Sequence, residues 1–129
     1  MSTLAVLLDV RSRLSSPKSW LKGAAIGLRL PSGSVRYGAA NADCWCLGAA
    51  ISLAVTAVAS SAAYGGPVWT ELRSDVEREL LTELDRLRGE GPALVRFAVI
   101  HQWNDASQTT HGDVLALIDS VVARLQVAA

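Results

Sequence analysis

The sequence predicts a mainly α-helical fold: a small single domain, 1–129, of four to five helices around an Ala-rich central helix, with a short β-hairpin near residues 26–37. Three observations lead there. The chain has 129 residues, half of them hydrophobic, with 12 Lys+Arg against 12 Asp+Glu. That length holds one core rather than two, and low net charge with high hydrophobicity excludes a disordered chain. Apolar residues also recur at helical spacing in several separated segments. Finally, no charged residue falls between Cys44 and Thr70, a stretch rich in Ala, Gly and Ser. Small side chains let neighbouring helices approach closely, so this stretch belongs at the centre.

Residues 3–15 carry Leu4, Leu7, Leu8, Val10 and Leu14 at amphipathic spacing, and Ser16-Pro17 ends that helix. Pro31-Ser32-Gly33 is a turn signal between Ile26–Leu30 and Ser34–Tyr37, which suits a small hairpin or an ordered loop. The central helix is expected from about Ala42 to Ala63, capped by Asn41 or Asp43 and stopped by Tyr64-Gly65-Gly66-Pro67. Leu47, Ile51, Val55 and Val58 form its apolar stripe, and Ser52, Thr56 and Ser60 a polar one. Two distinct stripes describe a helix packed in a core rather than a membrane span. A third helix is expected from Thr70 or Ser74, where Ser74-x-x-Glu77 has the form of a capping box. Leu72, Val76, Leu80, Leu84 and Leu87 make its ladder. Residues 93–103 read as a buried strand or as a short buried helix. Helix is preferred, because no second long strand is present to pair with it. A loop follows over 104–108. Thr110 and Asp113 cap the last helix, whose core face is Val114, Leu117, Ile118, Val121 and Leu125.

The N-terminus lacks a basic leader, and its apolar run ends at Asp9. Cys44 and Cys46 are too close in sequence for an ordinary disulfide. Together these point to the cytoplasm, with no signal peptide and no membrane segment.

Zero net charge conceals a division. Residues 1–66 hold Arg11, Arg13, Lys18, Lys22, Arg29 and Arg36 against Asp9 and Asp43, a net of +4, and residues 67–129 carry −4. The basic half is either a surface for an anionic partner, a protein or a nucleic acid, or the complement of the acidic third helix within the same fold.

Candidate chemistry centres on Cys46. A thiol at a helix start gains thiolate character. With His111 and Asp105 it would make a nucleophile, base and orienting acid; His101 and Asn104 are the alternates. The more ordinary reading has both cysteines as small buried residues. Cys44 and Cys46 with two histidines match no zinc module, and neither a metal nor another cofactor is expected. Trp45, Trp103, Asn104 and Asp105 are candidates to line a pocket, although Asn-Asp after an apolar run is first of all a turn and cap signal. No phosphate-binding glycine loop, nucleotide motif or Ser-His-Asp signature is present.

Trp20-x-Lys22-Gly23-Ala24, Ala42-x-x-Trp45-Cys46-Leu47-x-Ala49, Trp103-Asn104-Asp105 and Thr109-Thr110-His111-x-x-Val114-Leu115-x-Leu117 occur in that order. The pattern resembles a family of small bacterial and bacteriophage proteins known only as a domain of unknown function, over about residues 3–125. Where that family carries an Ala-Arg-Asp-type stretch, this chain has Gly27-Leu28-Arg29-Leu30. The resemblance implies a compact, mainly helical domain, often phage-linked, and supplies no activity. The expected function is therefore a non-catalytic interaction protein, of the kind a phage uses against a host defence protein. A small cysteine-dependent hydrolase or transferase and a small-ligand or structural module are the alternatives.

Overall fold

The structure, a computed structural model, describes residues 2–61, 66–88 and 96–128. It is mainly helical, with five helices and a small three-stranded sheet. The helices are α1 (Ser2–Arg13), α2 (Leu47–Ser61), α3 (Gly66–Arg88), α4 (Arg96–Asp105) and α5 (His111–Ala128). The strands β1 (Ile26–Arg29), β2 (Val35–Tyr37) and β3 (Cys44–Trp45) lie between α1 and α2 in the order β2-β1-β3, with both pairings antiparallel. A single 3₁₀ turn, Pro17–Ser19, follows α1, with Ser16 Oγ accepting from the Lys18 amide at its start.

The expected hairpin is present. Gly27 pairs with Tyr37, and Arg29 with Val35. The turn between them needs Gly33, whose φ of 91° is left-handed and costs a side-chain-bearing residue more than it costs glycine. Gly27 is required for a different reason. A Cβ there would lie 2.5 Å from Val35 Cγ1 and 3.4 Å from Cys44 Sγ.

Two helix starts differ from expectation. The central helix begins at Leu47, not near Ala42, because Cys44–Trp45 pairs with Ile26–Gly27 as β3. Neither Asn41 nor Asp43 caps it. Asp43 instead accepts the Arg29 amide at 2.9 Å, and Cys46 is the N-cap. The expected end at Ala63 lies outside the described residues. The third helix begins at Gly66, ahead of Thr70 and Ser74. Pro67 suits a first helical turn, where its missing N–H has no intrahelical partner in any case. Ser74 and Glu77 therefore sit inside α3, and Glu77 pairs with Arg73 at 2.6 Å instead of closing a capping box.

Residues 96–105 are helical, so the helix reading of the 93–103 segment holds where it is described. Asn104 and Asp105 close α4 instead of opening the loop. The α5 cap is as expected: Asp113 accepts the Thr110 amide at 2.9 Å, and Thr110 Oγ1 accepts the Asp113 amide at 3.1 Å.

The core joins α1, α2, α3 and α5, and the small residues Ala50 and Ala54 of α2 are fully buried in it. The polar stripe of α2 faces the start of α3. Arg73 donates to Ser52 Oγ and to the Gly48 carbonyl, and the Trp69 indole donates to Thr56 Oγ1. Among the described residues, no helix is long and apolar enough to cross a membrane.

Candidate functional site

The motif residues converge on one buried side chain. Asn104, at 0% exposure, has partners on three chain segments. Its Oδ1 accepts from the Trp20 indole at 2.7 Å and from the Leu47 amide at 3.1 Å. Its Nδ2 donates to the Leu21 carbonyl at 3.0 Å and to Asp105 Oδ1 at 2.9 Å. A primary amide has two acceptor positions and two donor hydrogens, so Asn104 is fully satisfied. Leu47 is the first residue of α2, and its amide is one of those that a helix start leaves unpaired. Asn104 thus completes the start of α2 from the end of α4.

The neighbouring motif positions extend this junction. Asp105 Oδ1 also accepts the Gly23 amide at 2.9 Å, made possible by the left-handed φ of 78° at Gly23. Its Oδ2 lies 3.2 Å from His101 Nε2. Burial works to raise the Asp105 carboxyl, but the Gly23 and Asn104 hydrogen bonds and the nearby His101 and Lys22 charges outweigh it, leaving its pKa below the usual carboxylate range. Lys22 Nζ donates to the Ala106 carbonyl at 2.7 Å and stands 5.4 Å from the Trp20 ring centroid. His111 Nε2 donates to the Leu14 carbonyl at 2.6 Å, and its ring is tilted against Trp20. Trp45 bridges to Trp20 along the edge of the sheet.

The two thiols are buried. Cys44 Sγ donates to the Gly27 carbonyl at 3.2 Å, and Cys46 Sγ accepts the Ala49 amide at 3.3 Å. Burial raises both pKa values, and for Cys46 it outweighs the lowering by the Ala49 and Gly48 amides. The helix start therefore does not make Cys46 a ready thiolate.

The expected Cys46, His111 and Asp105 set is rearranged. Among the described residues no hydrogen bond joins Cys46 to His111, which is held by Leu14 and Trp20. The imidazole that shares a cavity with Cys46 is His101. That cavity, of about 360 Å³, also has Ile26, Ser52 and Leu53 in its wall. The spacing of His101 and Asp105, four residues apart before a helix end, was the available signal for this pair. Of the expected pocket residues, Trp103 lines two cavities, of about 400 and 360 Å³. Asn104 and Asp105 belong to the junction, and Trp45 to the sheet edge. Among the described residues, no group of three or more His, Cys, Asp or Glu side chains is placed to hold a metal ion.

The six basic residues of the N-terminal half do not make one face, and among the described residues none of them pairs with α3. Arg11 pairs with Asp119 of α5 at 2.7 Å, and Arg13 with Asp9 at 3.1 Å. Lys22 belongs to the junction. Arg29 donates from Nε to the Lys18 carbonyl at 3.0 Å and lines, with Lys18, Ser16 and Ser19, a cavity of about 530 Å³. Arg36 is exposed on the hairpin. It lies opposite Leu28, one register position from Arg29, and so on the other face of the hairpin. Asp75, Glu77, Glu79 and Glu83 of α3 pair instead with Arg78, Arg73, Arg124 and Arg86.

No curated protein and no solved structure matches the chain. A family model does, over residues 1–124, and that span takes in every motif position that meets at Asn104. The chain belongs to this family, described as a family of unknown function (DUF6197).

Proposed function

We propose that the protein is a non-catalytic interaction protein that receives an acidic group of a protein partner at Lys18 and Arg29. One observation carries the reading. Lys18 and Arg29 line the same cavity, where the one acid, Asp43, is bonded to the Arg29 amide, and among the described residues neither cation forms an ion pair, whereas Arg11 and Arg13 do. Unpaired cations beside a concave surface attract and orient an anionic group. The motif residues support the reading from the other side: Asn104, Asp105 and His111 are held by internal hydrogen bonds. In the bacteriophage setting that the sequence resemblance suggests, the partner is a host defence protein, and binding blocks it.

The test is capture from a bacterial lysate with the wild-type chain and with a Lys18→Glu variant. Lys18 is exposed, and circular dichroism checks that the fold is retained. A protein bound by the wild type, released by salt and lost from the variant, supports the reading. Equal capture by both overturns it, and so does retention of nucleic acid in place of protein.

A further inference from the structure

Trp103 and Asp113 form a wall shared by two adjacent cavities, of about 400 and 360 Å³. One cavity adds the amide side chains Gln102 and Gln108, and the other the apolar Leu84, Leu87 and Leu117. Leu87 is 56% exposed at its edge. Among the residues described around these cavities there is one negative charge, that of Asp113, and no Lys or Arg.

Elsewhere the chain provides a cation for two of its tryptophans, while Trp45 is taken up by the sheet edge. Lys22 lies 5.4 Å from the Trp20 centroid, and Arg73 lies 5.9 Å from that of Trp69. Their indole N–H groups are also bonded, to Asn104 and to Thr56. Among the described residues, no cation stands over Trp103 and no group accepts from its indole. An aromatic face attracts a cation through its quadrupole, more strongly where water is partly excluded, and a carboxylate beside it adds charge attraction.

We propose that the Trp103–Asp113 wall is a binding site for a small organic ammonium ion. The ammonium group sits between the Trp103 ring and the Asp113 carboxylate, and its hydrocarbon part lies on Leu84, Leu87 and Leu117. Each cavity falls within the range of sites for small molecules. The site is separate from the Lys18 and Arg29 cavity and carries the opposite charge.

The test titrates the full chain with butyltrimethylammonium while following the indole N–H resonances by NMR, the Trp103 signal being assigned with Trp103→Phe. A neutral counterpart, 3,3-dimethylbutan-1-ol, is titrated in parallel, as is N-acetyl-lysine methylamide, which stands for a lysine side chain of a partner. The expected result is a saturable shift of the Trp103 resonance with butyltrimethylammonium, a weaker one with the lysine derivative and none with the neutral compound. Asp113→Asn keeps an acceptor for the Thr110 amide, so the α5 cap survives, and it should weaken binding about tenfold. Equal binding of the neutral compound, tighter binding of the lysine derivative, an unaffected Asp113→Asn variant, or no shift at Trp103 would overturn the proposal.

Discussion

Asn104 uses every hydrogen-bonding position of its amide inside the protein, which makes its substitution informative. Asn104→Ala leaves the Trp20 indole, the Leu47 amide and the Leu21 carbonyl without their partner in a buried place. Each such loss costs about 1–3 kcal/mol, partly relieved where water enters. We expect Asn104→Ala to lower stability by about 3–5 kcal/mol in urea unfolding. A loss below about 1 kcal/mol would mean that the junction is not structural. Cys46 gives a second contrast. Its sulfur caps α2, so Cys46→Ala should cost about 1 kcal/mol, and Cys46→Ser, which restores an acceptor, should cost less. Both thiols should react with a disulfide reagent at neutral pH more slowly than free cysteine, because burial keeps them protonated. Fast labelling of native Cys46 would restore the nucleophile reading. The individual residues of this junction were visible in the sequence, since Trp-Asn-Asp and Trp-Cys stand out in an Ala-rich chain. Their meeting point was not. Asn104 binds two backbone groups, Leu47 N and Leu21 O, which carry no side-chain signature.

At the scale of elements, periodicity identified α1, α2, α3 and α5 because each buries one stripe. It failed where pairing, not periodicity, defines the element. β3 is two residues long and only its register with β1 makes it a strand, so Cys44-Trp45 read as the beginning of α2. The start of α3 was missed for a related reason: Gly66-Pro67 stops one helix and suits the opening of the next equally well. Gly27 tests the sheet itself. Gly27→Ala would push a Cβ against Val35 Cγ1, and a β-branched side chain has little freedom to yield. The expected cost is about 1–3 kcal/mol, with partial recovery in the Gly27→Ala, Val35→Ala double variant. Thermal unfolding of the four combinations reads the coupling, and strict additivity would show that the two positions do not meet.

Across the whole molecule, the division into a +4 half and a −4 half is resolved locally. Basic and acidic groups pair within helices or between neighbours, as Arg13 does with Asp9 and Arg124 with Glu79. Two acids depart from ordinary surface pairing: Glu77, buried with Arg73, and Glu83, whose side chain is 4% exposed. Arg86 and Ser120 bond its carboxylate, and these bonds, with the Arg86 and Arg124 charges, outweigh burial to hold its pKa below the usual carboxylate range. A depressed carboxylate contributes stability that is fully present above its unfolded pKa, near 4, and is lost as pH falls through its folded value. Glu83 and Asp105 should therefore make the protein acid-labile below about pH 4. Melting temperatures of Glu83→Gln should fall less steeply with acidification than those of the wild type. A parallel decline in the two proteins would remove Glu83 from the account.

The position of Asn104 has a consequence for how the chain is made. The amide that completes the start of α2 lies 57 residues downstream of Leu47 and 84 downstream of Trp20. During synthesis, α1, the sheet and α2 leave the ribosome well before their clasp exists. Until then Ala50, Ile51 and Ala54 have no finished neighbourhood, and the Trp20 indole has no acceptor. Such a nascent chain waits for its last third, and commitment to the native state is a late event dominated by contacts of long sequence separation.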